Sequence, residues 1–249
     1  MDLRGKVALV TGGARRLGRG IVLAVARAGC DVIIHYGTSA AQAQQGVREI
    51  EALGVRGWNV AADLTRGEEI ARLFEEVRAI GRLDLLVNSA ASFESAPLEE
   101  IGEADWDRVQ ALNLRAPFLC LQQAAKLMRA SERAAGESAA VVNVADWSGL
   151  QPWPRFAHHG VSKAGLLHLT RIAARALAPA VRVSAVVPGA ILPPPGVEPG
   201  SDAWQRRAER IPRGRIGDPD DVGQAVVFLA EHEFLTGVVL PVDGGEGLC

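Results

Sequence analysis

A glycine-rich segment near the start of the chain has the residue types and the position of a phosphate-binding turn. The sequence Thr11-Gly12-Gly13-Ala14-Arg15-Arg16-Leu17-Gly18-Arg19-Gly20 directly follows the apolar run 7–10 and continues into a stretch with helical spacing. Glycines let backbone amides approach a pyrophosphate closely, and a helix N-terminus adds partial positive charge. Glycine-rich turns also end ordinary strands, but the position between a first strand and a first helix favours an anion site.

A polar residue in an apolar helical stretch is a second candidate for chemistry. Asn113 lies among Leu112, Leu114 and Phe118. A buried amide needs hydrogen-bond partners, which favours a functional role over simple packing.

Short branched-aliphatic runs alternate with longer stretches of helical spacing, and this alternation predicts which elements position these residues. The runs predict strands at 7–10, 32–34, 83–87, 140–144, 181–187 and 238–242. The helical stretches are 17–28, 40–53, 68–80, 106–129, 161–178 and 220–230, and residues 65–68 predict a capping box for the third. Runs that are apolar on both faces are typical of a parallel sheet covered by helices. The Pro- and Gly-dense segment 188–200 is interpreted as a mobile loop over a site.

Composition excludes several classes of protein. The chain has 249 residues, with 27 basic against 29 acidic side chains and a formal charge of −2. This balance argues against nucleic-acid and membrane-surface partners. The three scattered cysteines (Cys30, Cys120 and Cys249) predict no metal site and favour a reducing compartment. Because the sequence has no signal-peptide core and no membrane-length apolar run, we expect a soluble cytoplasmic protein.

The spacing Thr-Gly-x-x-x-x-x-Gly-x-Gly resembles the short-chain dehydrogenase/reductase family. Matches in the same order extend along the chain: Asp63, Asn88-Ser89-Ala90-Ala91, Asn113, Lys163, Pro188-Gly189 and Val242-Asp243-Gly244-Gly245. The resemblance implies one domain over residues 1–249, with a Rossmann-type doubly wound α/β fold. Its parallel sheet is expected to have about seven strands in the order 3-2-1-4-5-6-7.

The resemblance also implies a nicotinamide cofactor, and the end of the second strand favours NADP(H). No acid stands there to bind the ribose hydroxyls, since the strand ends at His35-Tyr36. Arg16 is expected to meet the 2′-phosphate, with Thr38 and Ser39 as hydroxyl donors; a solvated loop arginine is the alternative. The positions that the family pattern places at the cofactor are Gly12, Arg16, Leu17, Gly18, His35, Tyr36, Thr38, Ser39, Asp63, Leu64, Asn88, Ala90, Lys163, Pro188, Gly189 and Ile191.

A narrower pattern resembles the pteridine reductase branch of this family. Thr-Gly-x-x-x-Arg-x-Gly is followed by His35-Tyr36 and by Ser92-Phe93, and that branch stacks a phenylalanine on the pterin ring. Phe93 is therefore a candidate substrate residue, with an ordinary loop hydrophobe as the alternative. Gly37 and Thr38 depart from the branch. Trp147 and Trp153 either line the substrate pocket or pack their loop.

The catalytic pattern of the family is present with one substitution. The family uses a Tyr, a Lys four residues later, a Ser thirteen residues before the Tyr (Asp in pteridine reductases) and an Asn. Here Lys163, Asp146 and Asn113 match, but His159 stands at the Tyr position, and the only tyrosine of the chain is Tyr36. Histidine can serve as a general acid at neutral pH, and a carboxylate in contact would keep it protonated.

These residues leave several functions open. We expect an NADPH-dependent reductase of a pterin-like or small carbonyl substrate. A 3-oxoacyl-thioester reductase is the enzyme alternative, since residues 213–219 also resemble that group. The second alternative is a protein that binds NADP(H) but has impaired catalysis. The family resemblance and the apolar helices 106–129 and 161–178 predict a homotetramer.

Overall fold

The computed structural model describes residues 1–131, 133–193, 197–198 and 200–249. Its centre is one seven-stranded sheet in the order β3-β2-β1-β4-β5-β6-β7. All six neighbouring pairs are parallel. The expected fold class and strand order are therefore confirmed.

The strands alternate with helices along the described chain. The strands are β1 (Val7–Thr11), β2 (Asp31–Tyr36), β3 (Gly57–Ala61), β4 (Leu85–Asn88), β5 (Ala139–Val144), β6 (Val181–Pro188) and β7 (Val239–Val242). The helices are α1 (Arg16–Arg27), α2 (Ala40–Ala52), α3 (Gly67–Ile80), α4 (Glu103–Gln110), α5 (Ala116–Ala130), α6 (Ala157–Leu177), α7 (Asp202–Ala208) and α8 (Pro219–Glu231).

Two apolar layers, one on each face of the sheet, hold it between the helices. One contains Ile21 and Val25 of α1 with Val222 and Val226 of α8. The other contains Leu73 of α3 with side chains of α5 and α6. Burial on both faces explains why β1, β4 and β5 are apolar at successive positions rather than alternating.

Four elements differ from the sequence prediction. The stretch 106–129 is interrupted by a π-helical turn, Ala111–Arg115, between α4 and α5. Helix α6 begins at Ala157, four residues before the expected start. Strand β3 and helix α7 have no long apolar run, and therefore the apolar pattern did not predict them.

The capping box predicted at residues 65–68 is wrong. Helix α3 has Arg66 at its N-cap, without a side-chain hydrogen bond to the helix. The Thr65 hydroxyl instead donates to Asp63 Oδ1 at 2.7 Å, which removes it from the helix terminus. A capping box is present at α8, between Asp218 and Asp221.

The carboxyl ends of the parallel strands gather the candidate residues at one edge of the sheet. The glycine-rich turn follows β1, Asn88 ends β4, Asp146 follows β5 and Pro188 ends β6. Ligands of open α/β sheets bind at this edge. Part of the predicted loop 188–200, residues 194–196 and 199, lies outside the described residues.

Candidate active site

Helix α6, the π turn and the end of β5 bring four polar side chains together. His159 and Lys163 are four residues apart on α6 and therefore share one face of the helix. Asp146 lies two residues beyond β5, and Asn113 lies in the π turn. Such turns often occur at functional sites because the extra residue re-aims a side chain. The four predicted catalytic residues thus come from three elements, and hydrogen bonds link three of them.

His159 and Asp146 form the shortest contact of this group. His159 Nε2 lies 2.5 Å from Asp146 Oδ2. The other carboxylate oxygen, Oδ1, accepts from the Ser148 amide at 2.8 Å and from the Ser148 hydroxyl at 2.5 Å. At this distance, Nε2 donates a hydrogen bond to the carboxylate oxygen.

Asp146 is held ionised despite its burial. Burial by itself would raise the pKa of its carboxyl, since the charged form loses water. The hydrogen bond from His159, the charges of Lys163 and His159, and the Ser148 hydroxyl outweigh burial and lower the pKa to about 2. The carboxylate therefore keeps its charge at neutral pH and accepts the hydrogen bond from His159.

The second ring nitrogen of His159 is fixed from the opposite side. Nδ1 lies 3.0 Å from the Ser92 carbonyl oxygen and 3.1 Å from Asn113 Nδ2. Asn113 is itself oriented by Ser92, since its Oδ1 accepts from the Ser92 amide at 2.9 Å and its Nδ2 donates to the Ser92 carbonyl at 3.1 Å. The imidazole therefore has a fixed ring orientation with Nε2 towards Asp146.

Lys163 is buried and close enough to Asp146 for their charges to interact. Its Nζ donates to the Val144 carbonyl oxygen at 2.8 Å. Burial lowers the pKa of this lysine, and the charge of Asp146 opposes the shift. The buried lysine thus places a positive charge near the Asp146 carboxylate.

Aromatic side chains form a wall around His159. The Phe93 ring stacks on Phe156 with 4.7 Å between centroids and meets the His159 ring edge-on at 5.0 Å. Trp153 packs edge-on against Phe156 at 5.8 Å. The His159 side chain is consequently only 2% exposed, whereas Asp146 is 20% exposed. Solvent and substrate reach the shared proton from the carboxylate side.

Trp147 has a different environment from the other two predicted substrate residues. A Cβ added at Gly247 would lie 2.1 Å from its ring, so the indole lies directly on the C-terminal turn Glu246–Leu248. Its Nε1 is buried without a hydrogen-bond partner among the described residues. Packing on this turn is the interaction seen for Trp147, while Phe93 and Trp153 belong to the aromatic wall.

The glycine-rich turn approaches its neighbours as closely as backbone allows. Gly12 has a φ of +65°, and a Cβ there would lie 2.9 Å from the Ala90 Cα. A Cβ on Gly18 would lie 2.2 Å from the Gly12 carbonyl oxygen. The Thr11 hydroxyl accepts from the amides of Ser89 and Ala90, which joins this turn to the end of β4. Only glycine fits at positions 12 and 18.

His35 supports this turn from below. Its Nδ1 accepts from the Gly12 amide at 3.0 Å, and its Nε2 lies 3.0 Å from the Ala62 carbonyl oxygen. Nε2 is therefore the protonated nitrogen of a neutral ring, and burial lowers the pKa of His35 to about 4. Since both nitrogens bind backbone, its side chain has no polar atom left for the predicted contact with a cofactor.

The remaining predicted cofactor residues lie around this edge in different environments. Arg16 has a φ of +52°, the only positive φ outside glycine in the described chain, and its Nη2 donates to the Pro193 carbonyl at 3.0 Å. Thr38 is exposed and Ser39 half-buried beyond β2. Tyr36, Leu64, Pro188 and Ile191 are buried or half-buried, Asp63 is exposed beyond β3, and Leu17 packs against the core from α1.

Three serines that were not among the predicted site residues complete the site. Ser148 binds Asp146, Ser92 holds both Asn113 and His159, and the Ser162 hydroxyl lies 3.3 Å from Asn113 Nδ2. Ser148 carried a local signal, because an aspartate often accepts from the residue two positions later. Ser92 acts through its backbone, which a side-chain pattern does not reveal.

Comparison with known proteins identifies a family and shows the same fold in solved structures. A family model described as enoyl-(acyl carrier protein) reductase matches residues 12–246. The 3-oxoacyl-(acyl-carrier-protein) reductase FabG of Staphylococcus epidermidis is 34% identical over 244 residues, covering 96% of this chain and 98% of the relative. The chain belongs to the short-chain dehydrogenase/reductase family. It is an oxidoreductase of that family.

Two solved structures match this short-chain dehydrogenase/reductase closely. FolM alternative dihydrofolate reductase 1 from Brucella canis, complexed with NADP, has a TM-score of 0.90 at 30% identity, covering 100% of this chain and 96% of that chain. RhlG from Pseudomonas aeruginosa, in an NADP active-site complex, has a TM-score of 0.89 at 31% identity, covering 98% and 97%.

The glycine turn of this family member fits a dinucleotide. Gly12 and Gly18 leave backbone where a Cβ would clash, and no acidic side chain lies in the first turn of α1. At the neighbouring strand end, Asn88 Oδ1 is buried without a hydrogen-bond partner in the described residues. An open backbone cradle and an unused acceptor at the carboxyl edge suit a polar ligand that carries phosphates.

Two other features are absent from the described residues. They contain no group of three or more His, Cys, Asp or Glu side chains placed to hold a metal ion. None of their helices combines the length and the hydropathy needed to cross a bilayer.

Proposed function

We propose that the protein is an NADPH-dependent reductase that transfers a hydride to a pterin-like or small carbonyl substrate. The observation that carries the proposal is the 2.5 Å contact between His159 and Asp146, with Lys163 buried beside it. This arrangement stores a proton at the open end of the site, next to a cradle that fits a dinucleotide. A reduction needs both a hydride donor and a proton donor, and NADPH bound at the cradle would supply the hydride for this pair.

The cofactor residues are proposed from their positions at the carboxyl edge. The backbone of Gly12 and Gly18 and the N-terminus of α1 would hold the pyrophosphate, and Arg16 with Thr38 and Ser39 would favour NADP(H) over NAD(H). When bound, NADPH supplies the hydride. The NADP complexes of FolM and RhlG support this assignment.

The proton is proposed to come from the Asp146–His159 pair. A substrate oxygen or ring nitrogen that becomes negative as the hydride arrives takes the shared proton, which reaches the pocket from the exposed side of Asp146. Lys163 keeps the remaining carboxylate stabilised, and Asn113 with Ser92 holds the imidazole in register. Water must then return the proton to the pair.

Two substrate classes have separate support. Asp146, the Phe93–Phe156 stack and the similarity to FolM favour a planar pterin-like ring. The similarity to FabG favours a 3-oxoacyl thioester as the second candidate. A nicotinamide-binding protein with impaired catalysis is the remaining possibility, because His159 stands where a Tyr is expected.

The test is a substrate panel at fixed NADPH concentration. NADPH oxidation is followed with dihydropterins, 3-oxoacyl thioesters, quinones and ketones, using the wild type, Asp146→Asn and His168→Gln, an exposed histidine of α6. We expect turnover of at least one class, a loss of about tenfold or more in Asp146→Asn, and no change in His168→Gln. Tight NADPH binding without turnover of any substrate contradicts the reductase.

Assembly and location are part of the same proposal. We infer a homotetramer, supported by exposed apolar side chains on α5, α6 and α8. A cytoplasmic location is supported by the two buried cysteines, Cys30 and Cys120, which are free thiols.

A further inference from the structure

A basic pocket lies beside the active site and is not used by the mechanism above. Its volume is about 480 Å³, and it is lined by Arg206, Arg207, Arg210 and Glu246. The first three come from the last turn of α7 and the residues that follow it, and Glu246 comes from the C-terminal turn.

Only one of the three guanidinium groups is neutralised. Glu246 Oε1 accepts from Arg207 Nε at 3.0 Å and from its Nη2 at 2.7 Å. Arg206 and Arg210 are exposed, and in the described part of the chain neither has a side-chain hydrogen bond or an ion pair. The pocket therefore has a net positive charge facing solvent, with planar donors that suit carboxylate or phosphate oxygens.

The pocket is fixed to the carboxyl edge of the sheet. Glu246 Oε2 accepts from the Ala190 amide at 2.8 Å, two residues beyond β6. On the other side, Gly247 lies directly against the Trp147 ring, which follows Asp146 in the chain. The turn Glu246–Leu248 therefore connects the pocket to the residue next to Asp146, at the same edge of the sheet as the active site.

The geometry points to Arg206 and Arg210 as a binding site for an anionic group carried by the substrate at a distance from the reacting atoms. This inference rests on the proposed function, and it names the substrate class: molecules with a carboxylate or phosphate tail. Carboxylates at the end of a folate-like molecule and phosphates of a thioester carrier share this chemistry. A neutral pterin or ketone would leave the pocket unfilled.

Calorimetric titration of the NADP⁺-saturated protein tests the site without turnover. Folate and biopterin share a pterin ring but only folate has carboxylates in its tail, and coenzyme A and pantetheine share a thiol arm but only coenzyme A has phosphates. We expect the anionic member of at least one pair to bind about tenfold or more tighter, with a margin that shrinks as salt is added. Tighter binding of folate than of biopterin indicates that the pocket takes a carboxylate. Tighter binding of coenzyme A than of pantetheine indicates that it takes a phosphate.

The Arg206→Gln/Arg210→Gln double variant decides whether this pocket is responsible. Both side chains are exposed and unpaired, so the substitutions leave the fold intact. The margin should fall to about threefold or less in the double variant and stay unchanged in Arg48→Gln, an exposed arginine of α2. Equal binding within both pairs, no binding at all, or a margin that survives in the double variant overturns the inference.

A parallel assay of NADPH oxidation separates the two proposals. Anion preference without turnover keeps the pocket and contradicts the reductase. Turnover without anion preference keeps the reductase and contradicts the pocket.

Discussion

A histidine and a tyrosine at position 159 would hold their acidic proton at different distances from the α6 backbone. The His159 ring is enclosed by Phe93 and Phe156, and its Nε2 ends on Asp146 rather than in open space. The phenol of a tyrosine on the same helical position extends further from the backbone and carries its hydroxyl at the tip. In the proposed mechanism, the proton of the wild type therefore reaches the substrate by way of the aspartate.

His159→Tyr should raise NADPH-dependent reductase activity. Asp146, Lys163 and Asn113 remain in place, so the new hydroxyl would meet a carboxylate, a buried cation and an amide. General acid catalysis typically contributes about 10²–10⁴-fold, and we expect kcat/KM to rise about tenfold or more. The measurement is kcat/KM against pH on the substrate that the panel reveals.

The matched control is His168→Tyr, which makes the same change at an exposed position of α6. It should leave kcat/KM unchanged. A loss of activity in His159→Tyr would mean that the histidine is adapted to its aspartate and would refute the expected gain.

Arg16→Ala should weaken NADPH binding more than NADH binding. A guanidinium contact to a 2′-phosphate is a charge-assisted hydrogen bond, which corresponds to about tenfold to hundredfold in affinity. Fluorescence titration of both cofactors against the wild type and the variant measures this. Equal dissociation constants in the wild type, or an unchanged NADPH affinity in the variant, would rule out the contact. In that case the role of Arg16 would be limited to its hydrogen bond with the Pro193 carbonyl oxygen.

At the scale of elements, the sequence predicts the strands, which follow from local apolar patterns, and the edge of the sheet where the site lies, which follows from parallel topology. Apolar runs locate six of the seven strands, and the carboxyl edge follows from their order. The interruption of 106–129 could not be predicted from local sequence. Asn113, which lies in the π turn, makes its contacts with Ser92 and His159, and both are distant from it in the chain. The capping box failed for a similar reason, since Asp63 captures the Thr65 hydroxyl.

The same limit applies to α7. Its sequence is polar, and it lacks the apolar period of the other helices. The following residues are anchored by Ile211, which is buried against the Gly244 turn after β7. The basic pocket beside α7 therefore could not be predicted from the sequence, because it depends on how α7 packs against the C-terminal turn.

The link between β2 and the glycine turn should make stability depend on pH. His35 is neutral in the fold with a pKa of about 4, against 6.5 for the free side chain. Between these values the unfolded chain binds more protons, so the contribution is full above pH 6.5 and is lost as pH falls to about 4. The shift corresponds to about 3 kcal/mol of unfolding free energy.

Urea unfolding of wild type and His35→Gln at several pH values measures this contribution. Glutamine can accept from Gly12 and donate to Ala62 but does not titrate, so the decline between pH 6.5 and 4 should shrink by about 3 kcal/mol. His232→Gln, an exposed histidine, serves as the control and should keep the wild-type slope. Identical slopes in His35→Gln and wild type would contradict this account.

At the scale of the whole molecule, two patches among the exposed apolar side chains lie on or next to the outer helices. Phe118 of α5 and Val161 and Ile172 of α6 form one patch, next to a groove of about 780 Å³ that includes Phe118 and Leu169. Phe228 of α8 and Phe234, which is 95% exposed, form the other. A tetramer with three twofold axes needs at least two different interfaces, each of which pairs with its own copy, and we propose these two patches as those interfaces.

Light scattering at micromolar concentration should therefore give about 106 kDa, four times the 26.4 kDa chain. Phe118→Glu and Phe234→Glu each place a charge in one patch, where burial against a symmetry mate would leave it unpaired. Each single variant should give a dimer of about 53 kDa and the double variant a monomer. Leu53→Glu, an exposed leucine after α2 outside both patches, should remain tetrameric. A wild-type mass near 26.4 kDa would refute the assembly, and a tetramer in the double variant would place its interfaces on other surfaces.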